Sequence, residues 1–383
     1  MGEKHPIKVA FIEGKMNSGG KKTLSMQYFL NFDPAEVEVH FICDSDSNAV
    51  PTEEIEAHGG RVHIISPYQN IVKNMSDMIK NMSDMTDVFK RERFDVLHAY
   101  NSTMNLFPLR VGKKCGIPVR ISESLSMANE REPKTVLKLI LRRFSKLYAT
   151  HFMSCGEDCG RWQFGDTLFD AGKVDVFKTA IDSRKNSFDP ALRTRTRTEL
   201  GVADDELLAG FIGRFAAQKN PMFLLEIVGE LCKLNCKAKF LLIGDGEYRE
   251  QMLAYMDSNG FADRVIYLGR KEDIVGFYQA MDCFLLPSLY EGLPVVGLEA
   301  QCAGADVFFS SEITPEASFC ELGHFLPLAD GAEEWAKKIN ASFICMKERT
   351  SRSDECIAAG FDSRAEALRL QDYYARALAE MGC

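Results

Sequence analysis

The sequence predicts an α/β protein built on two doubly wound parallel sheets. Short β-branched or apolar runs alternate with amphipathic helical stretches along the chain. That rhythm pauses once, over the polar stretch 178–200, and then restarts. The length of 383 residues allows two or three domains, and 46% hydrophobic against 26% charged residues supplies ample material for buried cores.

In the first series, residues 7–13, 37–43, 62–65, 96–99, 119–122 and 151–155 read as strands, with helical segments between most of them. The second series places strands at 207–213, 238–243, 265–268, 283–286 and 307–309. Residues 363–381 read as one amphipathic helix, with Ser363 as N-cap and Leu370, Tyr374, Ala377 and Met381 as its apolar stripe. The expected organisation is a Rossmann-like domain over 1–183, a second over 184–362, and a helix over 363–383 that returns to the first. Ligands of such sheets collect at the carboxyl ends of the strands, so a cleft between two facing sheets is the expected active site.

Composition narrows the function. With 46 Lys+Arg against 55 Asp+Glu the net charge is −9, which argues against a general nucleic-acid binder. No apolar run reaches the ~18 residues that span a bilayer, and the first fifteen residues read as a strand rather than a signal peptide, so a cytoplasmic location is expected. The twelve cysteines are scattered, and no histidine stands at zinc-finger spacing from Cys155/Cys159 or Cys232/Cys236; reduced thiols and no metal are expected. The repeat Lys-Asn-Met-Ser-Asp-Met at 73–78 and 80–85 puts Met75, Met78, Met82 and Met85 on one helical face, suited to packing on the first sheet or to a partner.

Three strand ends carry chemistry. The first βα turn, Glu13-Gly-Lys-Met-Asn-Ser-Gly19-Gly20-Lys-Lys-Thr23, has neither P-loop nor GxGxxG spacing. Its Gly19–Gly20 pair is either a tight turn or a backbone surface for an anion or sugar hydroxyl. In the second half, Gly213-Arg214 and Lys219-Asn220-Pro221 set two cations just before a helix start, with Asn220 as expected cap. Leu242-Ile-Gly244-Asp-Gly246 is a further strand–glycine turn on the same edge. The most informative stretch runs from Phe284 to Ala300: a strand, then Glu291, Gly292, Leu293, Pro294 and Val295 at a helix start, then Glu299 near its second turn. Free N–H groups there suit a diphosphate or sugar hydroxyls, and Glu299 suits the two hydroxyls of a ribose.

Glu291…Glu299 resembles the E-x7-E element of the retaining GT-B glycosyltransferases of family four. Gly213-Arg214…Lys219-Asn220 is similar to that family's donor-phosphate segment, and Phe177–Asp182 to its short interdomain motif. Pro287–Pro294, Glu299-Ala-Gln301 and Ser311-Glu-Ile-Thr314 resemble the subgroup that builds bacterial capsular and exopolysaccharides. The likeness covers nearly the whole chain and is strongest over 207–320. It implies a GT-B architecture and a metal-independent hexosyl- or N-acetylhexosaminyl-type transferase that needs no cofactor. It also implies a nucleotide-sugar donor, UDP-linked by expectation, held by the second domain, and an acceptor held by the first. Carried over residue by residue, the resemblance puts Arg214 and Lys219 on the diphosphate and Glu299 on the ribose. Glu291 and the Gly292–Val295 backbone go to the sugar and its phosphates, with Gly19, Gly20, Gly213, Gly244 and Gly246 lining the donor site.

The first domain departs from that pattern. The family's histidine aligns with Tyr100, leaving His98 at the strand end, and Glu123 stands where a His-Ser-His segment is frequent. His98, Tyr100, Asn101 and Glu123 are therefore the acceptor-side candidates, with a core role for His98 as the other reading. These departures keep two further functions open: a sugar-nucleotide-binding partner subunit with little catalysis, and a nucleotide-sugar epimerase. Finally, 134–146 (KTVLKLILRRFSK) carries five cations and no acid over an apolar face. It reads as an ordinary surface helix or as a peripheral contact with anionic lipid, the latter suiting a lipid-linked acceptor.

Overall fold

The computed structural model describes residues 5–17, 20–67, 75–125, 135–345 and 348–382. The chain divides into two compact units, Met1–Ala180 with Ser363–Cys383, and Ile181–Asp362.

The first unit alternates strand and helix: β1 (Ile7–Gly14), α1 (Gly20–Asn31), β2 (Val37–Asp44), α2 (Thr52–Ala57), β3 (Arg61–Ile65), α3 (Met75–Glu92), β4 (Val96–Ala99), α4 (Leu106–Lys114), β5 (Val119–Ser124), α5 (Thr135–Arg142), β6 (His151–Ser154), α6 (Glu157–Phe164), α7 (Asp166–Asp170) and β7 (Val174–Val176). Its seven strands pair in the order β3-β2-β1-β4-β5-β6-β7, all parallel. The order reverses between β1 and β4, so a crevice opens where the helices after these strands leave to opposite faces. One face packs on α1 and the last helix through Phe11, Phe41, Leu24 and Tyr28; the other packs on α3 and α4 through Ile12, Ile42, Met85 and Leu109. Met85 is fully buried and Met82 leans on the same cluster, so these two methionines of the repeat pack on the sheet. Residues 73 and 74 of that repeat lie outside the described residues.

The second unit contains α8 (Pro190–Glu199), β8 (Leu207–Ile212), α9 (Pro221–Leu234), β9 (Ala238–Ile243), α10 (Arg249–Ser258), β10 (Val265–Gly269), α11 (Val275–Ala280), β11 (Cys283–Leu286), α12 (Val295–Cys302), β12 (Asp306–Ser310), β13 (Gly323–Leu326), α13 (Gly331–Ile344) and α14 (Ser353–Ala358). The sheet order is β10-β9-β8-β11-β12-β13, again parallel, with its reversal between β8 and β11. Continuous burial of β8 and β11 is what a sheet covered on both faces requires. β7 and β13 add strands at sheet edges that the sequence pattern did not give.

The last helix, α15 (Ser363–Glu380), belongs to the first unit, where Ala367, Leu370, Tyr374 and Ala377 enter the core beside Phe11 and Tyr28. Met381 corrects the expected stripe: it lies past the helix end and is exposed. The cysteines among the described residues are free thiols.

Candidate functional site

At the reversal point of the second sheet, the loops after β8 and β11 meet. Gly213 follows β8 and donates its N–H to the Ile243 carbonyl at 3.0 Å. The loop then runs against the turn after β9: Phe215 N–H donates to Asp245 O, and Tyr248 N–H to Phe215 O. Backbones come this close because Gly244 and Gly246 lack side chains. A Cβ on Gly244, whose φ is +142°, would strike the Gly213 carbonyl oxygen, and one on Gly246 would strike that of Phe215. These two glycines therefore hold one turn against the other, whereas Gly292 lies in open space with no such constraint.

The loop ends at Asn220, which adopts the left-handed conformation (φ +52°) and passes the chain to Pro221 at the first turn of α9. Asn220 occupies the cap position but makes no side-chain cap, because that backbone conformation replaces the extended one a capping side chain needs. Just before it, Gln218 and Lys219 reach the β11 loop. Lys219 Nζ lies 2.5 Å from Glu291 Oε1, and Gln218 Nε2 donates to Glu291 Oε2 (3.2 Å) and to the Tyr290 carbonyl (3.0 Å). Leu289 N–H returns a bond to the Gln218 carbonyl at 2.8 Å. Lys219 and Glu291 are both largely buried, so this pair is held rather than solvated. Arg214 sits apart from it, with its side chain 72% exposed and in a surface pair with Glu247 at 3.2 Å.

Pro294 precedes α12, whose first turn leaves N–H groups with no helical carbonyl to bond, at the positive end of the helix dipole. Glu299 follows on the same helix. Its Oε2 accepts from the Tyr278 hydroxyl at 2.8 Å, and burial pushes its carboxyl up to about 7, opposed by that hydrogen bond and by Lys185. A carboxyl so poised is half ionised near neutral pH. The sequence pattern does not single out Gln218, Tyr278 or Lys185. Gln218 adjoins Lys219 and was within reach of the motif, whereas Tyr278 and Lys185 are linked to Glu299 only by the fold.

In the first unit, Gly20 is exposed at the start of α1, and Gly19 lies outside the described residues. Lys21 reaches across the strand ends to Asn101 Oδ1 at 3.0 Å and to the Glu13 carbonyl. Three acceptor-side candidates turn inward. His98 Nδ1 bonds the Tyr374 hydroxyl at 2.7 Å and the Tyr100 hydroxyl at 3.2 Å, and its Nε2 lies 2.9 Å from Glu123 Oε2. His98 and Glu123 are fully buried and Tyr100 nearly so, which makes them core residues, with His98 hydrogen-bonded to the two tyrosine hydroxyls. Asn101 is the member that reaches the strand edge, its Nδ2 donating to the Ile12 carbonyl at 3.2 Å.

The basic stretch is only partly helical. α5 ends at Arg142, and Arg143–Ser145 continue as turns onto the carbonyls of Ile140–Arg142. Lys134 lies outside the described residues. Leu141 is buried, whereas Leu139, Ile140, Phe144 and Leu147 are exposed at 46–59%. Lys138, Arg142, Arg143 and Lys146 alternate with them. Among the described residues no helix is long and apolar enough to cross a membrane.

Residues 193–352 match the family described as Glycosyl transferases group 1. The chain is 27% identical over 373 residues to the "Putative glycosyltransferase EpsF" of Bacillus subtilis, covering 96% of each chain. It is 23% identical to the "UDP-Gal:alpha-D-GlcNAc-diphosphoundecaprenol alpha-1,3-galactosyltransferase" of Escherichia coli, covering 80% of this chain and 79% of the other. The solved structure of Anabaena HepE in complex with UDP is similar in fold, with a TM-score of 0.76 at 16% identity over 97% of this chain and all of that one.

Proposed function

From a chain that has the GT-B fold and carries a group 1 glycosyl transferase domain over residues 193–352, we propose a retaining transferase that moves a sugar from a UDP-linked donor to a growing glycan or lipid-linked saccharide. One observation carries this reading: Lys219, Gln218 and Glu291 converge at the reversal point of the second sheet, beside the free N-terminus of α12. Breaking a sugar–phosphate bond builds negative charge on the leaving diphosphate. A held ammonium and oriented N–H groups stabilise that charge most where it is greatest, in the transition state. Arg214, free to swing from Glu247, supplies a second cation, and the pair takes the electrostatic part that a metal plays in other transferases. Glu291 is read as accepting from hydroxyls of the sugar, and Glu299 as accepting from the ribose. Retention follows the resemblance, with the leaving phosphate helping to deprotonate the acceptor hydroxyl.

The acceptor belongs, in this reading, to the first unit near Asn101 and Lys21, with His98, Tyr100 and Glu123 bracing the strand ends from below. A lipid-linked acceptor accords with the exposed Leu139, Ile140, Phe144 and Leu147 beside Arg142, Arg143 and Lys146, a surface that suits peripheral contact with an anionic membrane. The relative named for transfer to a diphosphoundecaprenol-linked sugar supports a role in surface-polysaccharide synthesis. A donor screen with mass-spectrometric detection, run with and without saccharide acceptors, tests the proposal. Transfer or slow hydrolysis of a UDP-sugar is expected. Tight UDP binding with neither would leave a binding subunit, and an isomerised donor would mark an epimerase.

A further inference from the structure

Away from the strand ends, on the face of the first sheet covered by α3, three donor atoms converge with no part in the reaction above. His40 lies midway along β2, His63 midway along β3, and Glu92 closes α3. His40 Nδ1 is 3.0 Å from His63 Nε2 and 4.0 Å from Glu92 Oε2, and the three donor atoms all lie within 4.8 Å of one another. We propose that His40, His63 and Glu92 bind one divalent transition-metal ion, Zn²⁺ by the chemistry of the set, tying β2, β3 and the end of α3 together.

The ligand set is two imidazoles and a carboxylate, which matches zinc, and tetrahedral Zn–N bonds of about 2.0–2.1 Å place two ligand nitrogens about 3.3 Å apart. The observed 3.0 Å needs only a small opening to admit the ion. The outer shell is also built. His40 Nε2 lies 2.9 Å from Glu38 Oε1, which fixes the ring with Nδ1 as acceptor, as carboxylate partners do for metal-ligating histidines. His40 is fully buried against Phe94, so its orientation is rigid.

Two arginines oppose a cation here, and both are exposed at the rim. Arg61 and Arg91 are 58% and 61% exposed, reaching Glu92 at 3.7 and 2.8 Å. Arg91 Nη2 faces His63 Nδ1 at 3.3 Å, so without metal His63 carries its proton on Nε2 and donates to His40. On metal binding that proton moves to Nδ1, Nε2 turns its lone pair to the ion, and Arg91 swings to water. The imidazole stays neutral throughout.

The test uses the full chain, freed of metal by chelator dialysis, then titrated with Zn²⁺ calorimetrically and with Co²⁺ by absorption. A single equivalent is expected, with the visible bands of tetrahedral nitrogen/oxygen ligation. His63→Gln and Glu92→Gln, both at part-exposed positions, are expected to weaken binding at least tenfold, and Glu38→Gln by about 10–100-fold through His40. Far-UV dichroism and metal-free melting are expected to match the parent, which separates lost ligation from lost folding. Absence of binding to the parent, a thiolate charge-transfer band marking capture by the free cysteines, or undiminished affinity in both His63→Gln and Glu92→Gln would overturn the proposal.

Discussion

The phenol of Tyr278, fully buried in the second unit, donates to Oε2 of Glu299 across 2.8 Å. The bond favours the ionised carboxylate, while burial favours the neutral acid, and the balance lies at about 7. If Glu299 holds a ribose, it does so as the anion, which accepts two hydroxyl donors. Affinity for uridine, which has no titrating phosphate, should therefore rise about tenfold between pH 6 and pH 8. Tyr278→Phe removes the stabilising donor, so the midpoint of that rise should move to higher pH. An unmoved midpoint would reduce Tyr278 to a packing residue. The sign for stability is opposite. A carboxyl raised from 4.5 to about 7 by folding costs stability as pH climbs through that window, and a bound nucleoside should recover part of the loss.

Lys219 and Arg214 should separate by environment. Lys219→Ala removes a held cation and is expected to lose about 2–4 kcal/mol of transition-state stabilisation, measured as kcat/KM for donor hydrolysis or transfer. Arg214→Ala should fall in the same range if the guanidinium turns to the diphosphate. Its pair with Glu247 is solvent-exposed, so the folded chain should melt within a degree or two of the parent. Unchanged kinetics in the arginine variant would leave Lys219 as the cation of the site.

Sequence reasoning reached the strands whose apolar runs are long and internal, because a strand buried on both faces must be apolar throughout. β7 and β13 escaped it: three and four residues at sheet edges, only partly buried, carry too little pattern. The same divide holds for the site. Lys219 and Glu291 were legible as types in a motif, but their contact spans 72 residues and emerges only when β8 and β11 become neighbours. For His98 the sequence leaves a core role and a site role open, and only the fold decides between them, since the hydroxyl that claims it belongs to Tyr374, 276 residues away. Gly244 and Gly246 show the converse, where a readable glycine turn proves to hold backbone against backbone.

That packing makes Gly244→Ala a sharp perturbation. The added methyl meets a carbonyl oxygen at a φ of +142°, which side chains rarely adopt, so both strain and clash act together. Loss of about 2–4 kcal/mol in urea unfolding is expected, with weakened nucleotide binding because the Arg214–Lys219 loop rests on this turn. Wild-type stability would mean that the two turns separate easily.

Asp282 anchors a different part of the second unit. Its carboxylate accepts from Arg193 at 2.5 Å, from Arg197 at 3.2 Å and from the Leu208 N–H at 2.8 Å, all with little access to water. Asp282→Ala leaves the buried Arg197 without its countercharge. A loss of about 3–5 kcal/mol is expected by chemical denaturation, far above the effect of a surface pair. A loss below 1 kcal/mol would show that the carbonyls of Ala203, Glu206 and Ala280 suffice to hold Arg197.

The exposed strip of the first unit invites a test that separates charge from apolar contact. Each Lys or Arg near an anionic bilayer contributes about 1 kcal/mol, and that contribution fades within a Debye length as salt rises. Reversing Lys138, Arg142 and Arg143 to Glu should therefore remove most sedimentation with anionic liposomes at low salt. Phe144→Ser with Leu147→Ser should weaken the residual, salt-resistant part, because both side chains are already exposed and their removal leaves the core intact. Sedimentation that ignores both anionic lipid content and the charge reversal would make the strip an ordinary solvated surface, and a lipid-linked acceptor would then need another route to Asn101.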